Sequence, residues 1–532
     1  MPTAQLFSLP RQREVHFGNR VVWCFRERPN DIYSGFLVAV EKFANRTAMI
    51  YADRTWTYAE LEAEAGRVAA GLSRQGVTKG NRVVLLIGNR PEFVTLALAI
   101  LRLGAVAVPM DVRLQSTEIQ YVLDNSRATL LLYEDELADR LPSPLKVPAI
   151  AVTDAALFPS EMTGARAAPA AVAEEDPAMI LYTSGTTGSP KGGVLTHLNF
   201  SHSAIHHSGN LGLDENDRSL IAVPLSHVTG IICGIVAPLW TGGTLILLPR
   251  FKAREFLEAA SQWRMTYTIM VPAMYNLCLR VEEFDSYDLS AWRLGHYGAS
   301  PMPEDTLEKL ARKLPALTLV SGYGATETCS PALMTPVGQG RQPINSAGRA
   351  LPCAEVMIVD PETCIEVAQG SSGELWIRGP MVASGYWDNP EATARGFVGG
   401  FWRSGDIGRV DSDGNVQVHD RLKDVINRAG YKIYSAEVEA VLAQIPEVIE
   451  SAIIGYADPV LGERVHAVVT VAADVCDTEL SAYCARHLAD YKVPESWAIS
   501  RDPLPRNSMG KVDKRKLREN FVAPETDRKT QQ

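Results

Sequence analysis

The most informative stretch of this sequence, residues 182–192, reads Tyr-Thr-Ser-Gly-Thr-Thr-Gly-Ser-Pro-Lys-Gly. It follows an apolar segment, Ala178–Leu181, that is typical of the end of a strand. Glycines let the backbone turn so that successive amide groups point into one concavity, and the hydroxyls and the lysine add donors and positive charge. The stretch therefore predicts a loop that holds a polyphosphate, with candidate contacts Thr183, Ser184, Gly185, Thr186, Thr187 and Lys191.

Two glycine-rich segments of the chain resemble known phosphate-binding motifs, but neither matches its motif fully. The spacing from Gly188 to Gly193 is that of a Walker motif, but Val194 stands where the lysine belongs. A second glycine segment begins like a dinucleotide fingerprint at Gly322 and has Glu327 in place of the third glycine. A Ser/Thr/Gly-rich surface loop without a ligand remains an alternative on these residues alone.

Around this loop, strands and helices are predicted to alternate. Thr57 and Glu60 form a capping box before a helix that Gly76 ends. Apolar runs predict strands at residues 82–87, 105–108, 128–133, 244–248 and 266–270, with helices at 91–104, 117–123 and 254–263. This alternation is typical of βαβ units, so we expect an α/β fold with parallel sheets.

The pattern changes twice towards the C-terminus. Short β-runs between residues 340 and 410, such as 356–359 and 373–378, are separated by Pro, Gly and Asp and predict a small antiparallel β subdomain. After Asp420 the predicted order is helix 437–442, strands 449–454 and 464–471, and helix 478–488. We therefore predict a large N-terminal domain, residues 1–419, and a small α+β C-terminal domain, residues 420–532.

Composition excludes several classes of function. The net charge is −10 and no dense basic run precedes the tail, so nucleic acid is not an expected partner. The eight cysteines form no C-x-x-C pair, which predicts a reducing compartment and no structural zinc. The N-terminus lacks a signal pattern, and Arg102 and Gly104 interrupt the most apolar stretch. We therefore expect a cytoplasmic protein with no membrane span.

Five further segments accompany the loop in a fixed order: Tyr297–Ser300, Gly322–Thr328, Trp402–Asp406, Asp420–Asp424 and Pro505–Lys511. With these six motifs, the whole chain resembles the adenylate-forming superfamily of acyl-CoA synthetases, firefly luciferases and peptide-synthetase adenylation domains. The resemblance implies a two-step reaction. A carboxylate attacks the α-phosphorus of Mg-ATP to give acyl-AMP and pyrophosphate, and a thiol, CoA in the synthetases, then expels AMP.

The resemblance also implies roles for individual residues. Lys511 is the catalytic lysine that bridges the carboxylate and the α-phosphate, Thr326 holds a phosphate oxygen, and Glu327 ligates Mg²⁺. Asp406 binds the ribose hydroxyls, and Arg421 reaches the ribose or a phosphate. The remaining implied ATP and AMP contacts are Gly298, Ala299, Ser300, Tyr323, Gly324 and Ala325.

In this superfamily the small domain is mobile, and the hinge lies here at residues 420–424. Lys423 occupies the hinge position, and the two poses would alternately present Lys511 and the loop around Gly430. A side chain at Gly430 would obstruct a narrow tunnel for the pantetheine arm of CoA. Relative to plant coumarate ligases, Asn427 and Ala429 replace lysines, so coumarate activity does not transfer directly.

The acyl pocket implied by the resemblance is mainly apolar with a few polar groups: His227, Thr229, Ile231, Tyr297, Ala332 and Leu333. Amino-acid adenylation domains carry an aspartate in the region of residues 224–230, and this segment contains no acid. The expected substrate is therefore an apolar monocarboxylic acid of the aryl, arylalkenyl or medium-chain aliphatic class.

Other interpretations stay open on the sequence. The chain could load an acyl group onto the phosphopantetheine of a carrier protein in trans, or oxidise its adenylate as luciferases do. The chain could also be a binding module without catalysis, but the presence of four implied functional residues argues against this: Lys511, Glu327, Asp406 and Arg421. A homodimer is compatible with everything above.

Overall fold

The computed structural model describes residues 3–153, 166–183, 190–338, 346–506 and 512–521. The chain forms two compact units. Unit 1 comprises Met1–Met357, Trp376–Ser404 and Asp411–Val416, and unit 2 comprises Ile358–Leu375, Gly405–Val410 and Gln417–Gln532. Within the described ranges, no helix combines the length and the apolar character that crossing a membrane requires.

The helices are α1 Thr3–Ser8, α2 Ile32–Phe43, α3 Tyr58–Arg74, α4 Pro91–Arg102, α5 Ser116–Ser126, α6 His197–Leu211, α7 Ala237–Trp240, α8 Ala253–Gln262, α9 Pro272–Leu279, α10 Glu304–Lys313, α11 Pro390–Gly396, α12 Ser435–Leu442, α13 Asp477–His487 and α14 Lys514–Asn520. A π-helix, Gly230–Val236, precedes α7.

The strands are β1 Arg11–His16, β2 Arg20–Phe25, β3 Thr47–Tyr51, β4 Arg54–Thr57, β5 Arg82–Leu86, β6 Val106–Pro109, β7 Leu130–Tyr133, β8 Ala149–Ala151, β9 Pro177–Thr183, β10 Lys191–Thr196, β11 Arg218–Ile221, β12 Thr244–Leu247, β13 Tyr267–Met270, β14 Leu294–Gly298, β15 Thr318–Ala325, β16 Ser330–Met334, β17 Ser346–Ala350, β18 Glu355–Val359, β19 Gly373–Arg378, β20 Gly385–Tyr386, β21 Phe397–Val398, β22 Phe401–Val410, β23 Val416–Arg421, β24 Ile426–Arg428, β25 Tyr431–Ile433, β26 Val448–Asp458, β27 Gly462–Val471 and β28 Ser496–Ser500.

The first large sheet of unit 1 has the strand order β20-β10-β9-β6-β5-β7-β8. The strands from β9 to β8 along this order are parallel, and β10 is antiparallel to both of its neighbours. The predicted capping box is present at the start of α3, with Thr57 accepting from the amide of Glu60. The predicted parallel βαβ architecture is thus confirmed.

The second sheet of unit 1 includes the order β4-β3-β12-β11-β13-β14-β15-β16-β17, in which the strands from β3 to β15 are parallel. Side chains alternate between its two faces. On one face, which we call the α6 face, Tyr267, Leu294 and Val320 pack with the π-helix. On the other, which we call the outer face, Met270 packs with Phe256 of α8 and Leu310 of α10.

Unit 2 contains the five-stranded sheet β25-β24-β27-β26, with β28 beside β27, and the helices α12 and α13. Its core is formed by apolar side chains of these elements, such as Val438, Ile453 and Leu480. The small α+β domain after residue 420 is therefore present. Strands β18, β19, β22 and β23 each begin in one unit and end in the other, so the functional boundary at residue 420 stays a prediction.

Candidate active site

The predicted polyphosphate loop connects two paired strands. Strand β9 ends at Thr183 and β10 begins at Lys191, and these two residues are partners in the antiparallel pair. The Thr183 hydroxyl donates to the Lys191 carbonyl at 3.4 Å. The turn itself, with Ser184, Gly185, Thr186 and Thr187, lies outside the described residues, so its contacts to a ligand stay predictions.

Lys191 and Glu327, which are far apart in sequence, meet at one tyrosine. The Lys191 ammonium lies 5.4 Å from the ring centre of Tyr386, and the Tyr386 hydroxyl donates to Glu327 Oε1 at 2.8 Å. Glu327 is only 8% exposed. Burial, together with the charge of Glu327, raises the pKa of Tyr386 well above its usual range. Tyr386 therefore stays protonated and fixes the position of the carboxylate.

Thr326 also approaches strand β10. A Cβ atom at Gly193 would lie 3.4 Å from Thr326 Cγ2, so the strand that leaves the loop passes close to the Thr326–Glu327 pair. The sequence did not indicate Tyr386, because the short strand Gly385–Tyr386 carries no motif. Tyr386 pairs with Gly193 of β10, and these two residues come together only in the folded chain.

The candidate nucleotide segments lie on the neighbouring strands β14 and β15. Gly298 pairs with Gly322, and a Cβ atom at Gly298 would lie 2.7 Å from the Gly322 carbonyl oxygen. A Cβ atom at Gly324 would lie 2.3 Å from the backbone oxygen of Ser330. Both motifs therefore need glycine for close backbone packing, which also leaves flat main chain beside Ala299, whose φ is +68°.

Two predicted ribose contacts are paired within unit 2. Arg421 Nε lies 2.7 Å from Asp406 Oδ1. Asp406 is buried, whereas half of the Arg421 side chain is exposed. Gly405, with φ of +68°, forms the bend before Asp406, and its amide donates to Glu374 Oε1 at 3.1 Å. The structure thus joins Trp402–Asp406 and Asp420–Asp424, two motifs that the sequence places apart.

Lys511 lies outside the described residues, but both flanks of its loop are held within unit 2. Arg506 and Val512 form a β-bridge, and the Asp513 amide donates to the Pro505 carbonyl at 2.8 Å. After the loop, Lys514 forms an ion pair with Glu439 of α12 at 2.7 Å. The loop that carries Lys511 is therefore attached to unit 2 at both ends.

In unit 2, Lys423 lies in the short 3-10 helix Leu422–Asp424 and Gly430 lies in a turn. Lys423 is exposed, and the next residue, Asp424, forms an ion pair with Arg518 at 2.6 Å. Ala429 and Gly430 have φ angles of 52° and 89° between β24 and β25, as a two-residue type I′ hairpin requires. The Asn427 side chain accepts from the Gly430 amide at 3.2 Å. The hydrogen bond within the turn thus gives a structural reason for Asn427. The hinge role of Lys423 and the tunnel role of Gly430 stay predictions.

His227 has an acidic neighbour that its own segment does not provide. Its Nε2 atom lies 3.5 Å from Asp111 Oδ2, and Asp111 also pairs with Arg113 at 2.6 Å. Although burial opposes it, hydrogen bonds from Arg113 and His227 hold the pKa of Asp111 well below its usual range. Since Arg113 already neutralises this carboxylate, Asp111 does not offer a free charge to a substrate ammonium group.

The predicted acyl residues divide between the two faces of the second sheet. Ile231 is buried in the π-helix on the α6 face, close to His227, whose carbonyl accepts from the Ile231 amide at 3.0 Å. Thr229 directly precedes this helix. Tyr297 instead packs on the outer face. The alternation of strand β14 places His296, rather than Tyr297, on the α6 face.

The last two predicted acyl residues, Ala332 and Leu333, are fully buried on β16. Leu333 is the strand partner of Tyr323, and Ala332 packs in a cluster with Tyr323 and Trp402. The structure therefore groups His227, Thr229 and Ile231, places Ala332 and Leu333 beside the Gly322–Thr328 motif, and separates Tyr297 from them.

Two family models match the chain. The model described as AMP-binding enzyme matches residues 36–387, and the one described as AMP-binding enzyme C-terminal domain matches residues 437–511.

Similar proteins carry related names. A long-chain-fatty-acid–CoA ligase, FadD13, of Mycobacterium tuberculosis is 34% identical over 88% of this chain and 94% of its own length. A feruloyl-CoA synthase of an Amycolatopsis species is 36% identical over 89% of this chain and 96% of its own. The solved structure of o-succinylbenzoate CoA synthetase (MenE) from Bacillus subtilis, in complex with its acyl-adenylate intermediate, aligns with a TM-score of 0.83. That match has 30% identity and covers 93% of this chain and 98% of MenE.

Proposed function

This chain belongs to the AMP-binding enzyme family, and from that premise we propose that it joins an apolar monocarboxylic acid to CoA through an acyl-adenylate. It is an AMP-forming acid–thiol ligase that uses ATP, Mg²⁺ and CoA. The proposed acid is an aryl, arylalkenyl or medium-chain aliphatic monocarboxylate. The names of the fatty-acid and feruloyl relatives support this range of substrates.

The observation that carries the proposal is the contact chain Lys191–Tyr386–Glu327 beside the ends of the polyphosphate loop. Lys191 supplies positive charge to the phosphates as they depart, and Thr326 donates a hydroxyl beside it. The oxygens of Glu327 are the hard ligands that Mg²⁺ prefers, and Tyr386 holds one of them in place. These groups offset the repulsion between an incoming carboxylate and a triphosphate.

Three further residues have proposed roles in the reaction. Asp406 accepts hydrogen bonds from the ribose hydroxyls, and its ion pair with Arg421 fixes its orientation. Lys511 neutralises the charge that develops between the acid and the α-phosphate. We propose that the small C-terminal domain, residues 420–532, turns about Lys423 to withdraw Lys511 and admit the thiol past Gly430.

The acyl group is proposed to bind on the α6 face beside His227 and Ile231. A mostly apolar surface there favours acids without a second charge. An amino acid is disfavoured because the carboxylate nearest His227, that of Asp111, is already neutralised by Arg113. All eight cysteines, which lie in the described ranges, are free thiols, and we therefore propose the reducing cytoplasm as the compartment.

The experiment that tests this function is a screen of pyrophosphate release over a panel of carboxylic acids. The expected result is acid-dependent release of pyrophosphate without CoA and of AMP once CoA is added. The same acids are then offered with a holo-carrier protein in place of CoA. Acyl transfer to the carrier alone would assign the enzyme to carrier loading, and a preference for α-amino acids would contradict the proposed substrate class.

A further inference from the structure

A buried polar cluster lies on the α6 face of the second sheet. We call it the imidazole cluster: His207 of α6, His296 of β14, Cys233 of the π-helix and Tyr267 of β13. The rings of His207 and His296 are 5.1 Å apart between centres, and His207 Nε2 hydrogen-bonds with the Tyr267 hydroxyl at 2.7 Å. All four side chains are at most 2% exposed. None of them has a role in the reaction described above.

The cluster lies directly behind the candidate active site. Because residues two apart in a strand share a face, His296 and Gly298 point to the same side of β14, and Gly322 is the parallel partner of Gly298. The His296 ring covers Gly322, where a Cβ atom would lie 2.2 Å from Nε2. Cys233 lies two residues after Ile231 in the π-helix that faces this surface.

These positions outline a path for an acyl group. Gly298 and Gly322 carry no side chains on the α6 face, and the His296 ring occupies the place that a side chain at Gly322 would take. A chain that starts at the adenylate and follows Gly298 on this face is therefore directed towards this ring. The first side chain that it meets below Gly322 is the imidazole of His296, followed by His207. The inner end of the proposed pocket is therefore polar, whereas its wall at Ile231 is apolar.

The inner end also has unused hydrogen-bonding capacity. Among the described residues, His207 Nδ1 and His296 Nδ1 are buried and have no hydrogen-bond partner. Burial lowers the pKa of His296 to about 3 and that of His207 well below its ordinary value, so both rings are neutral near pH 7. A neutral imidazole can donate from one nitrogen and accept at the other, and a buried nitrogen without a partner is destabilising.

A metal ion is a less suitable occupant. The candidate ligand atoms of His207, Cys233 and His296 lie within 4.8 Å of one another. Tetrahedral zinc, with ligand bonds of about 2.0–2.3 Å, places its ligand atoms about 3.3–3.8 Å apart, which this limit includes, so the spacing alone does not decide against a metal. The argument against a metal is the thiol: burial raises the pKa of Cys233 to about 12, which disfavours the thiolate that a metal requires.

We propose that the acid accepted by this enzyme carries one uncharged hydrogen-bonding oxygen, a hydroxyl or a carbonyl, at the end remote from its carboxylate, and that His296 and His207 receive it. This inference rests on the proposed function and narrows its substrate class. An entirely apolar acid of the same length binds less well, because it covers the imidazoles without supplying a partner.

The test compares matched acids that differ only at the remote end: 3-(4-hydroxyphenyl)propanoate with 3-phenylpropanoate, and 8-hydroxyoctanoate with octanoate. The readout is kcat/KM for pyrophosphate release. For at least one pair, we expect the wild type to favour the hydroxylated acid by about 10-fold or more, since a site built to bind a hydroxyl discriminates against the analogue that lacks it. In His296→Leu and His207→Leu, that ratio falls towards one, because kcat/KM for the hydroxylated acid falls further than kcat/KM for the unsubstituted acid.

The matched control is His206→Leu. His206 lies on the same helix and is fully buried with unpartnered nitrogens, but its ring packs against Phe25, 5.4 Å between centres. This variant keeps the wild-type preference. Ratios near one in the wild type, or the same change of ratio in all three variants, would overturn the inference. One equivalent of zinc that copurifies with the wild type and is lost in His207→Leu would also overturn it, in favour of a metal site.

The two levels of proposal fail in different ways. If no acid of the whole panel supports release of pyrophosphate, the proposed function is wrong, and this inference is overturned with it. If both members of each pair react equally well, only the polar end of the pocket is wrong.

Discussion

Tyr386→Phe is the substitution that examines the candidate active site most selectively. It removes one hydroxyl and keeps the ring that lies beside Lys191. The lost interaction is the 2.8 Å hydrogen bond to Glu327 Oε1. Glu327 is 8% exposed, so little water is at hand to replace the donor.

The expected magnitude follows from the charge of the acceptor. A hydrogen bond to a charged group contributes about 1.5–3 kcal/mol. If that stabilisation acts in the transition state, kcat/KM for pyrophosphate release falls about 10- to 150-fold, since each 1.36 kcal/mol is a factor of ten. The Mg²⁺ concentration for half-maximal activity also rises, because the oxygen that we propose as a metal ligand is less well positioned.

The assay is pyrophosphate release as a function of acid and of Mg²⁺ concentration. Tyr58→Phe is the control, because the buried Tyr58 hydroxyl also donates hydrogen bonds, to the carbonyls of Leu239 at 3.1 Å and Gly243 at 2.7 Å, which belong to none of the motifs. This control lowers the free energy of unfolding but leaves the Mg²⁺ dependence unchanged. If Tyr386→Phe kept kcat/KM and Mg²⁺ dependence within twofold of wild type, the role given to the Tyr386–Glu327 contact would be refuted.

Three other predictions concern separate parts of the molecule. Lys511→Ala abolishes most pyrophosphate release but leaves thiolation of preformed acyl-AMP largely intact; full pyrophosphate release in this variant would contradict the role of the lysine. Gly324→Ala destabilises the protein by about 1–3 kcal/mol in denaturant unfolding, because its Cβ atom would lie 2.3 Å from a backbone oxygen, whereas Gly193→Ala, with 3.4 Å of space, is milder; equal costs would count against this reasoning. Burial lowers the pKa of His206 to about 3, so this histidine binds its proton only on unfolding between pH 6.5 and 3. The stability that depends on this neutral histidine is present above pH 6.5 and is lost as pH falls. In His206→Leu, the free energy of unfolding should therefore decline less steeply with falling pH, by up to about 1.4 kcal/mol per pH unit. Parallel pH curves for the variant and the wild type would disprove the lowered pKa of His206.

The local pattern of the sequence was sufficient for most elements of the fold. The capping box at Thr57 and the strand 373–378 have the predicted positions, because caps, turns and periodicity are encoded by neighbouring residues. The close packing of Gly298 on Gly322 gives a physical reason for two of the motifs.

The contacts that complete the site are long-range, and the sequence could not predict them. Tyr386 meets Glu327 across 59 positions of the chain, and Asp111 reaches His227 from the segment that follows β6. Strand alternation alone shows that His296 and Tyr297 face opposite ways. It does not show which face receives α6. The resemblance named Tyr297 for the acyl pocket, and only the folded chain shows that its ring packs on the outer face.

The order of product release tests the central claim most directly. With ATP, Mg²⁺ and a substrate acid but no CoA, a single-turnover experiment should yield one pyrophosphate per enzyme and acyl-AMP that stays bound. Addition of CoA should then release AMP together with acyl-CoA. Formation of ADP and phosphate, or a requirement for CoA before any pyrophosphate appears, would contradict adenylation as the first step.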